Sequence, residues 1–471
     1  MTALLEAGPR DTSHDGGLRA AAIRVLLGNW TGTGTVPSRS LYPHQWSWDS
    51  AFIAIGLRHL SPRRAQRELE SLLGAQWGDG RVPHIVFNPA VPRDAYFPGP
   101  AFWRSAEAGR GSGAPAGTET SGIVQPPVHA LAAWLVHLAD PAESERRNFL
   151  RRMGPRLEAW HRYLTERRDL GGHGLAAVLH PWEPGLDNSP CWDVPLGRVR
   201  PAPEDSYRRV DLDHSVADDR PTDLDYARYV RMAREYRDHG YDDTAPHAFR
   251  VEDPGFNTLL VASEYALAEI AAATGGDPEP ARRRARRITE AMTARLWDPR
   301  RRIFAPRDLH DDRLLPVVAV NGLLPLAVPG LPRRFAEPLL ETAAGERFRL
   351  GQVRLVPSFD LTDPEFDANR YWRGPSWFNT AWLVHRGLVA LGATDQAAAL
   401  RAQILHDAHV SDFAEYVNPL TGAGRGIRDF SWTAALALDL LCAPTDAADA
   451  RASAPGADTR ERHGRAEGGE R

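Results

Sequence analysis

The sequence predicts an all-α protein built as an (α/α)6 barrel, a closed toroid of paired helices whose long loops carry the site. Three observations predict it. About twelve or thirteen segments show helical apolar spacing, against two weak strand candidates at 302–305 and 353–357. The helices pair through loops of unequal length, and long aromatic-rich loops recur after alternate helices. No fixed repeat of roughly 34 or 40 residues is present, which argues against an open helical solenoid. Length alone would allow about three domains in 471 residues, yet this pattern places one domain over 18–443.

Residues 1–17 are polar, lack apolar periodicity and read as a flexible tail. A first helix follows over 18–30, carried by Leu18, Ala22, Ile23, Leu26 and Leu27. An apolar helix over 50–60 comes after Trp46-Ser47-Trp48-Asp49. Ser61-Pro62 caps an amphipathic helix over 63–77. Residues 78–126 are a long Gly/Pro-rich loop, of the kind that is usually functional or disordered. Helices resume at 127–138 and 142–168. A second irregular stretch runs to about Thr222, and helices follow at 223–239, 256–274, 278–296, 317–326, 333–344, 377–391, 395–406 and 431–441. Residues 444–471 are rich in Ala, Asp, Arg and Gly and read as a disordered tail.

Composition excludes several function classes. The net charge of -4 offers nothing to nucleic acid or to an anionic membrane. No lysine occurs, which removes P-loop, Schiff-base, pyridoxal-phosphate and Ser-Lys chemistry. Two cysteines, Cys191 and Cys442, form neither a disulfide framework nor a CxxC site. No HExxH or GxSxG occurs, and Gly32-Thr33-Gly34 lacks the rest of a dinucleotide fingerprint. Of 17 histidines, His406 and His409 alone are spaced to share a helix face, and no ligand motif surrounds them. Neither a metal nor a cofactor is implied. With no signal peptide and no apolar run of 18 residues, the expected compartment is the cytoplasm.

Carboxylates set among aromatics carry the chemistry instead. Asp187 lies in a loop with Trp182 and Trp192, where desolvation would raise its pKa and suit a proton donor; the alternative is an Asx-turn at Pro190. Glu415, in Phe413-Ala414-Glu415-Tyr416 before a turn, could activate water or simply sit at a surface. Asp49 could serve the site or cap its helix. Arg373, in Tyr371-Trp372-Arg373-Gly374-Pro375, could hold a carboxylate or make a cation–π contact. Arg220 could bind an anionic substrate group or make a surface ion pair. Many aromatics, a few carboxylates and no nucleophile motif favour a glycosidase working through two carboxyl groups and water.

Seven motifs in order carry a family resemblance: Tyr42-Pro43-His44-Gln45-Trp46-Ser47-Trp48-Asp49, Pro83-His84-Ile85-Val86-Phe87, Tyr96-Phe97-Pro98-Gly99-Pro100, Gln125-Pro126-Pro127-Val128-His129, Gly185-Leu186-Asp187-Asn188-Ser189-Pro190, Tyr371-Trp372-Arg373-Gly374-Pro375 and Phe413-Ala414-Glu415-Tyr416. Over 18–442 the chain resembles glycoside hydrolase family 63, in its bacterial mannosylglycerate/glucosylglycerate hydrolase branch. The resemblance implies an inverting α-glycosidase with Asp187 as general acid and Glu415 as general base. It implies sugar contacts from Tyr42, Trp46, Asp49, Trp182, Tyr371, Trp372 and Trp377, and glycerate contacts from Tyr96, Gln125, Arg220 and Tyr226. Departures fall at the rim: Glu183-Pro184-Gly185 replaces Glu-Ser-Gly, Cys191-Trp192-Asp193 replaces Arg-Trp-Asp, and Tyr416-Val417-Asn418-Pro419 replaces Tyr-Tyr-Glu-Pro. They bear on the leaving group. The expected partner is a small glycoside, with no nucleic acid or membrane, and the oligomeric state is open. A trehalase-like disaccharide hydrolase and a non-catalytic sugar-binding helical protein are the alternative readings.

Overall fold

Helices that are apolar all round must be buried, whereas helices with one apolar stripe can face water. Both kinds are present in the computed structural model, which describes residues 12–108, 110–213 and 217–442. In chain order the long helices are α1 (Thr12–Gly28), α2 (Ser47–Leu57), α3 (Pro62–Gly74), α4 (His129–Ala139), α5 (Phe149–Arg162), α6 (Asp223–Asp238), α7 (Pro254–Ala273), α8 (Glu279–Arg295), α9 (Arg333–Ala344), α10 (Phe378–Leu391), α11 (Thr394–Val410) and α12 (Ser431–Cys442). Every residue of α2 is buried, and α4, α7, α10 and α12 are buried over most of their length.

These apolar helices form the inner ring. The order of contact is α2, α4, α7, a pair of short 3-10 turns (Val320–Gly322 and Leu324–Ala327), α10 and α12, and α12 packs back on α2. Outside each inner member lies one partner helix: α3 on α2, α5 on α4, α8 on α7, α9 on the 3-10 turns, α11 on α10, and α1 on α12. The ring is therefore the (α/α)6 barrel, closed by pairing the first helix with the last. Caps fix several of the starts. Ser61 accepts from the Arg64 N–H at α3, Thr222 from Asp225 N–H at α6, and Asp253 from Phe256 N–H at α7. Among the described residues no helix is long and apolar enough to cross a membrane.

Sequence periodicity misplaces four features. The first helix begins at Thr12, so a boundary at residue 17 falls inside it; residues 1–11 and 443–471 lie outside the described residues. A continuous helix over 142–168 is broken at Asn148, whose φ of 51° ends one short helix, Pro141–Arg146, before α5 begins. After α5 the chain widens into a π turn at Tyr163–Arg167. Over 317–326 the chain makes only 3-10 turns, because Pro325 removes a backbone donor inside the segment. Of the two strand candidates, Ile303–Phe304 pairs with Trp297–Asp298, while 353–357 contributes only an isolated bridge from Pro357 to Ser376.

Two-residue strands pin the loops that enter the inner helices. Gln45–Trp46 pairs antiparallel with Ile85–Val86 just before α2. Ser376–Trp377 pairs with Tyr416–Val417, which pairs in turn with Gly424–Arg425. Loops leading into α2, α10 and α12 are thereby drawn to one end of the barrel.

Candidate active site

A cavity of about 530 Å³, mouth included, opens at that end. Twelve of the fourteen residues singled out from sequence line it; Tyr226 and Arg373 do not. The walls are supplied by loops that enter different inner helices.

One wall carries Glu415. After α11 ends, Asp412 and Phe413 take φ values of 53° and 51° and reverse the chain into the strand Tyr416–Val417. On the returning segment Gly426 has φ +65°, and a Cβ there would lie 2.4 Å from Glu415 Oε2, so only glycine fits. The carboxylate accepts three bonds: Oε1 from the hydroxyls of Tyr42 at 3.1 Å and Tyr371 at 3.2 Å, and Oε2 from the Ile427 N–H at 3.3 Å. Arg220 Nη2 donates to the Tyr42 hydroxyl at 3.2 Å, and its guanidinium lies 4.4 Å over the Tyr371 ring. Burial raises the Glu415 pKa, and the Arg220 charge, the Ile427 N–H and the two phenols oppose that rise.

The second carboxyl is Asp187, which lines the same cavity. Its loop is held by backbone carbonyls: Trp192 Nε1 donates to Leu186 O at 2.7 Å, and the Tyr229 hydroxyl to Asp187 O at 2.7 Å. Asn188 Oδ1 accepts from Trp372 N–H at 2.8 Å, which joins this loop to the Tyr371 loop. Gly185, at φ +73°, presses on the Trp48 ring, where a Cβ would come within 2.4 Å. Burial pushes Asp187 up to about 7; Arg220 opposes the shift and the Glu415 charge adds to it. The two carboxyls thus differ in kind. Burial favours the protonated form of Asp187, and Glu415 is wrapped by hydrogen-bond donors.

Asp49 sits in the first turn of α2, buried, with its pKa held well above the carboxylate range by burial and by Glu415. The residue preceding the helix, Trp46, makes no side-chain cap, and Asp49 faces the cavity. Gln125 lines the cavity while its Oε1 accepts from Trp48 N–H at 3.1 Å. Trp372 and Trp377 stack face to face at 3.9 Å with parallel planes. Trp182, also in the lining, stacks on His84, whose pKa burial lowers to about 3, so that ring is neutral.

Arg220 is buried and in the cavity, not in a surface ion pair. Its nearest carboxylate is Asp211, 3.6 Å from Nε. Arg373 corrects the sequence reading. Tyr371 takes φ 40°, and this turn sends Tyr371 and Trp372 inward and Arg373 outward, where it binds Asp193 and Glu365. Tyr226 stands behind the wall: its hydroxyl donates to Phe97 O at 3.0 Å and its ring packs edge-on to Trp182.

Sequence reasoning did not single out Trp48, His84, Phe430 or Trp432, and all four line the cavity. A signal for two of them was in the sequence. Phe430-Ser431-Trp432 opens α12 just as Trp46-Ser47-Trp48 opens α2, and Trp48 meets Trp432 edge-on at 5.3 Å. Among the described residues no group of three or more His, Cys, Asp or Glu is placed to hold a metal ion.

Comparison with known proteins agrees with the fold and the motifs. Residues 42–433 match the mannosylglycerate hydrolase MGH1-like glycoside hydrolase domain. A mannosylglycerate hydrolase of Rubrobacter radiotolerans is 41% identical over 432 residues, covering 90% of this chain and 96% of that one. A glucosylglycerate hydrolase of Mycolicibacterium hassiacum is 38% identical over 449 residues, covering 90% and 97%. The crystal structure of a family 63 mannosylglycerate hydrolase from Thermus thermophilus, in complex with Tris and D-glycerate, superposes with a TM-score of 0.81 at 39% identity, covering 90% of this chain and 99% of that one.

Proposed function

The chain belongs to the mannosylglycerate hydrolase MGH1-like family of glycoside hydrolases, and from that membership we propose that it cleaves the α-glycosidic bond of glucosylglycerate or mannosylglycerate with inversion. The carrying observation is the meeting in one cavity of Asp187, whose pKa burial raises to about 7, and Glu415, whose carboxylate accepts from Tyr42, Tyr371 and the Ile427 N–H. Asp187 gives its proton to the glycosidic oxygen as the bond to the anomeric carbon breaks. Glu415 takes a proton from a water that attacks the same carbon from the opposite face. Sugar and glycerate leave, and each carboxyl has changed its protonation state once. Such a pair requires a separation of about 6.5–9.5 Å, to admit the water.

The bonds from Tyr42 and Tyr371 favour the ionised form of Glu415 and aim it, and Arg220 steadies the Tyr42 hydroxyl. The Trp372–Trp377 stack and Trp182 offer flat faces to a sugar ring, and Asp49 offers its hydroxyls a carboxyl partner. A buried guanidinium suits a leaving group that carries a carboxylate. Similar relatives carry both names, glucosylglycerate and mannosylglycerate hydrolase, so the preferred sugar is an outcome of the test.

The test is a hydrolysis screen over glucosylglycerate, mannosylglycerate, trehalose and kojibiose with wild-type, Asp187→Ala and Glu415→Ala proteins. Wild type should cleave a glycerate glycoside, and both variants should lose turnover while retaining the wild-type circular dichroism. A folded Glu415→Ala protein with wild-type turnover would remove the base assignment. Arg220→Ala should cost activity on every substrate, because Arg220 also steadies the Tyr42 hydroxyl that bonds Glu415, with the larger loss on glycerate-bearing substrates; wild-type cleavage of trehalose in preference to both glycerate glycosides would point to the disaccharide reading.

A further inference from the structure

Beneath the Asp187 loop lies a fully buried ion pair that touches no part of the cavity. Glu183 and Arg168 have no exposed side-chain surface. Arg168 clasps Glu183 with two bonds, Nη1 to Oε2 at 2.8 Å and Nη2 to Oε1 at 2.7 Å. The remaining Glu183 bonds go to backbone: Oε2 accepts from Leu179 N–H at 2.6 Å and Oε1 from Val124 N–H at 3.3 Å. Leu179 begins the loop that carries Trp182 and Asp187. Val124 precedes Gln125, which holds the Trp48 N–H next to Asp49. One carboxylate therefore ties the acid-bearing loop to the segment that sets the first turn of α2.

The other face of Arg168 is held from outside that loop. Its Nε donates to Asp243 Oδ1 at 3.0 Å and to the Tyr163 hydroxyl at 3.0 Å, and Nη1 also donates to Ala177 O at 3.3 Å. A buried ion pair is a poor device for stability, since apolar residues of similar volume often serve as well. What it supplies is a fixed direction, because a guanidinium fork meets a carboxylate in one plane.

We propose that Glu183, clasped by Arg168, is a positioning residue that sets Asp187 against the glycosidic oxygen. The inference rests on Asp187 being the general acid. It concerns protonation of the leaving group, not binding of the sugar. The probe is therefore a pair of substrates that differ in their need for a proton: the glycerate glycoside the enzyme cleaves, and the α-glycosyl fluoride of the same sugar, whose fluoride departs without one.

Glu183→Gln should lower kcat on the glycoside about 100-fold, the scale of a misplacement of one ångström, while fluoride hydrolysis is largely kept. Asp187→Asn should show the same split. Asp243→Asn, which strips Arg168 of its other anion without touching the loop, should lower Tm with no difference between the two substrates. Equal loss on both substrates in Glu183→Gln, with the split intact in Asp187→Asn, would overturn the positioning role alone. Equal loss in Asp187→Asn would remove the acid assignment and this inference with it. Should Glu183→Gln fail to fold, Arg168→Lys puts the same question, replacing the fork by a point charge. If neither variant folds, the pair is a stability element and the inference fails.

Discussion

On the proposed assignment, the raised pKa values of Asp187 and Glu415 set the pH response at the residue scale. Burial raises Asp187 from an ordinary value of 3.8 to about 7, so the acid limb of catalysis is present below about 7 and lost above it. Glu415 must be ionised, and its own raised pKa fixes the low-pH limb. A bell-shaped kcat/KM profile is expected, and the residual hydrolysis by Asp187→Asn should lack the alkaline limb. Stability carries the same signature. The folded state holds the Asp187 proton between the ordinary and the raised value, so stability falls as pH rises through that window. Asp187→Asn cannot ionise and should gain on the order of 4 kcal/mol over wild type at pH 8, at about 1.4 kcal/mol per pKa unit, and little at pH 4. Thermal melts at the two pH values check it. Much of this residue set was legible, because acids and tryptophans crowded with Gly and Pro cannot be a regular element. Arg373 was not: its motif is one turn, and sequence does not say which side of a turn faces in.

Short pairings and glycines do the aiming at the element scale. Gly426 shows how tightly the hairpin that carries Glu415 is set, since even a methyl group would meet the carboxylate. Gly426→Ala should therefore lower kcat about 100-fold, by pushing the base off its tyrosines. The protein should remain folded, which steady-state kinetics and circular dichroism together establish. Helices were readable wherever apolar spacing ran unbroken, as in α3 and α8. The fourth inner position was not, because its apolar run looks helical until Pro325 interrupts its hydrogen bonding. Two-residue strands such as Ser376–Trp377 leave no alternation to read, and yet they fix where the site loops lie.

Ring closure decides function at the scale of the whole molecule, since the walls of one cavity come from segments hundreds of residues apart. The seam is stitched by Asn29, whose Nδ2 donates to Asp429 O at 2.8 Å and to Ser431 Oγ at 2.9 Å. Asn29→Ala leaves those acceptors without their partner and should cost about 1–3 kcal/mol in urea unfolding. Helix pairing made the closed toroid legible, but not which helices meet at the seam, where α1 packs on α12 and α12 on α2. The central claim is inversion by Asp187 and Glu415 across one sugar. Its most direct test is proton NMR of the first turnovers on the α-linked glycerate glycoside. The β-anomer of the released sugar should appear first and mutarotate later, whereas initial release of the α-anomer would contradict the account.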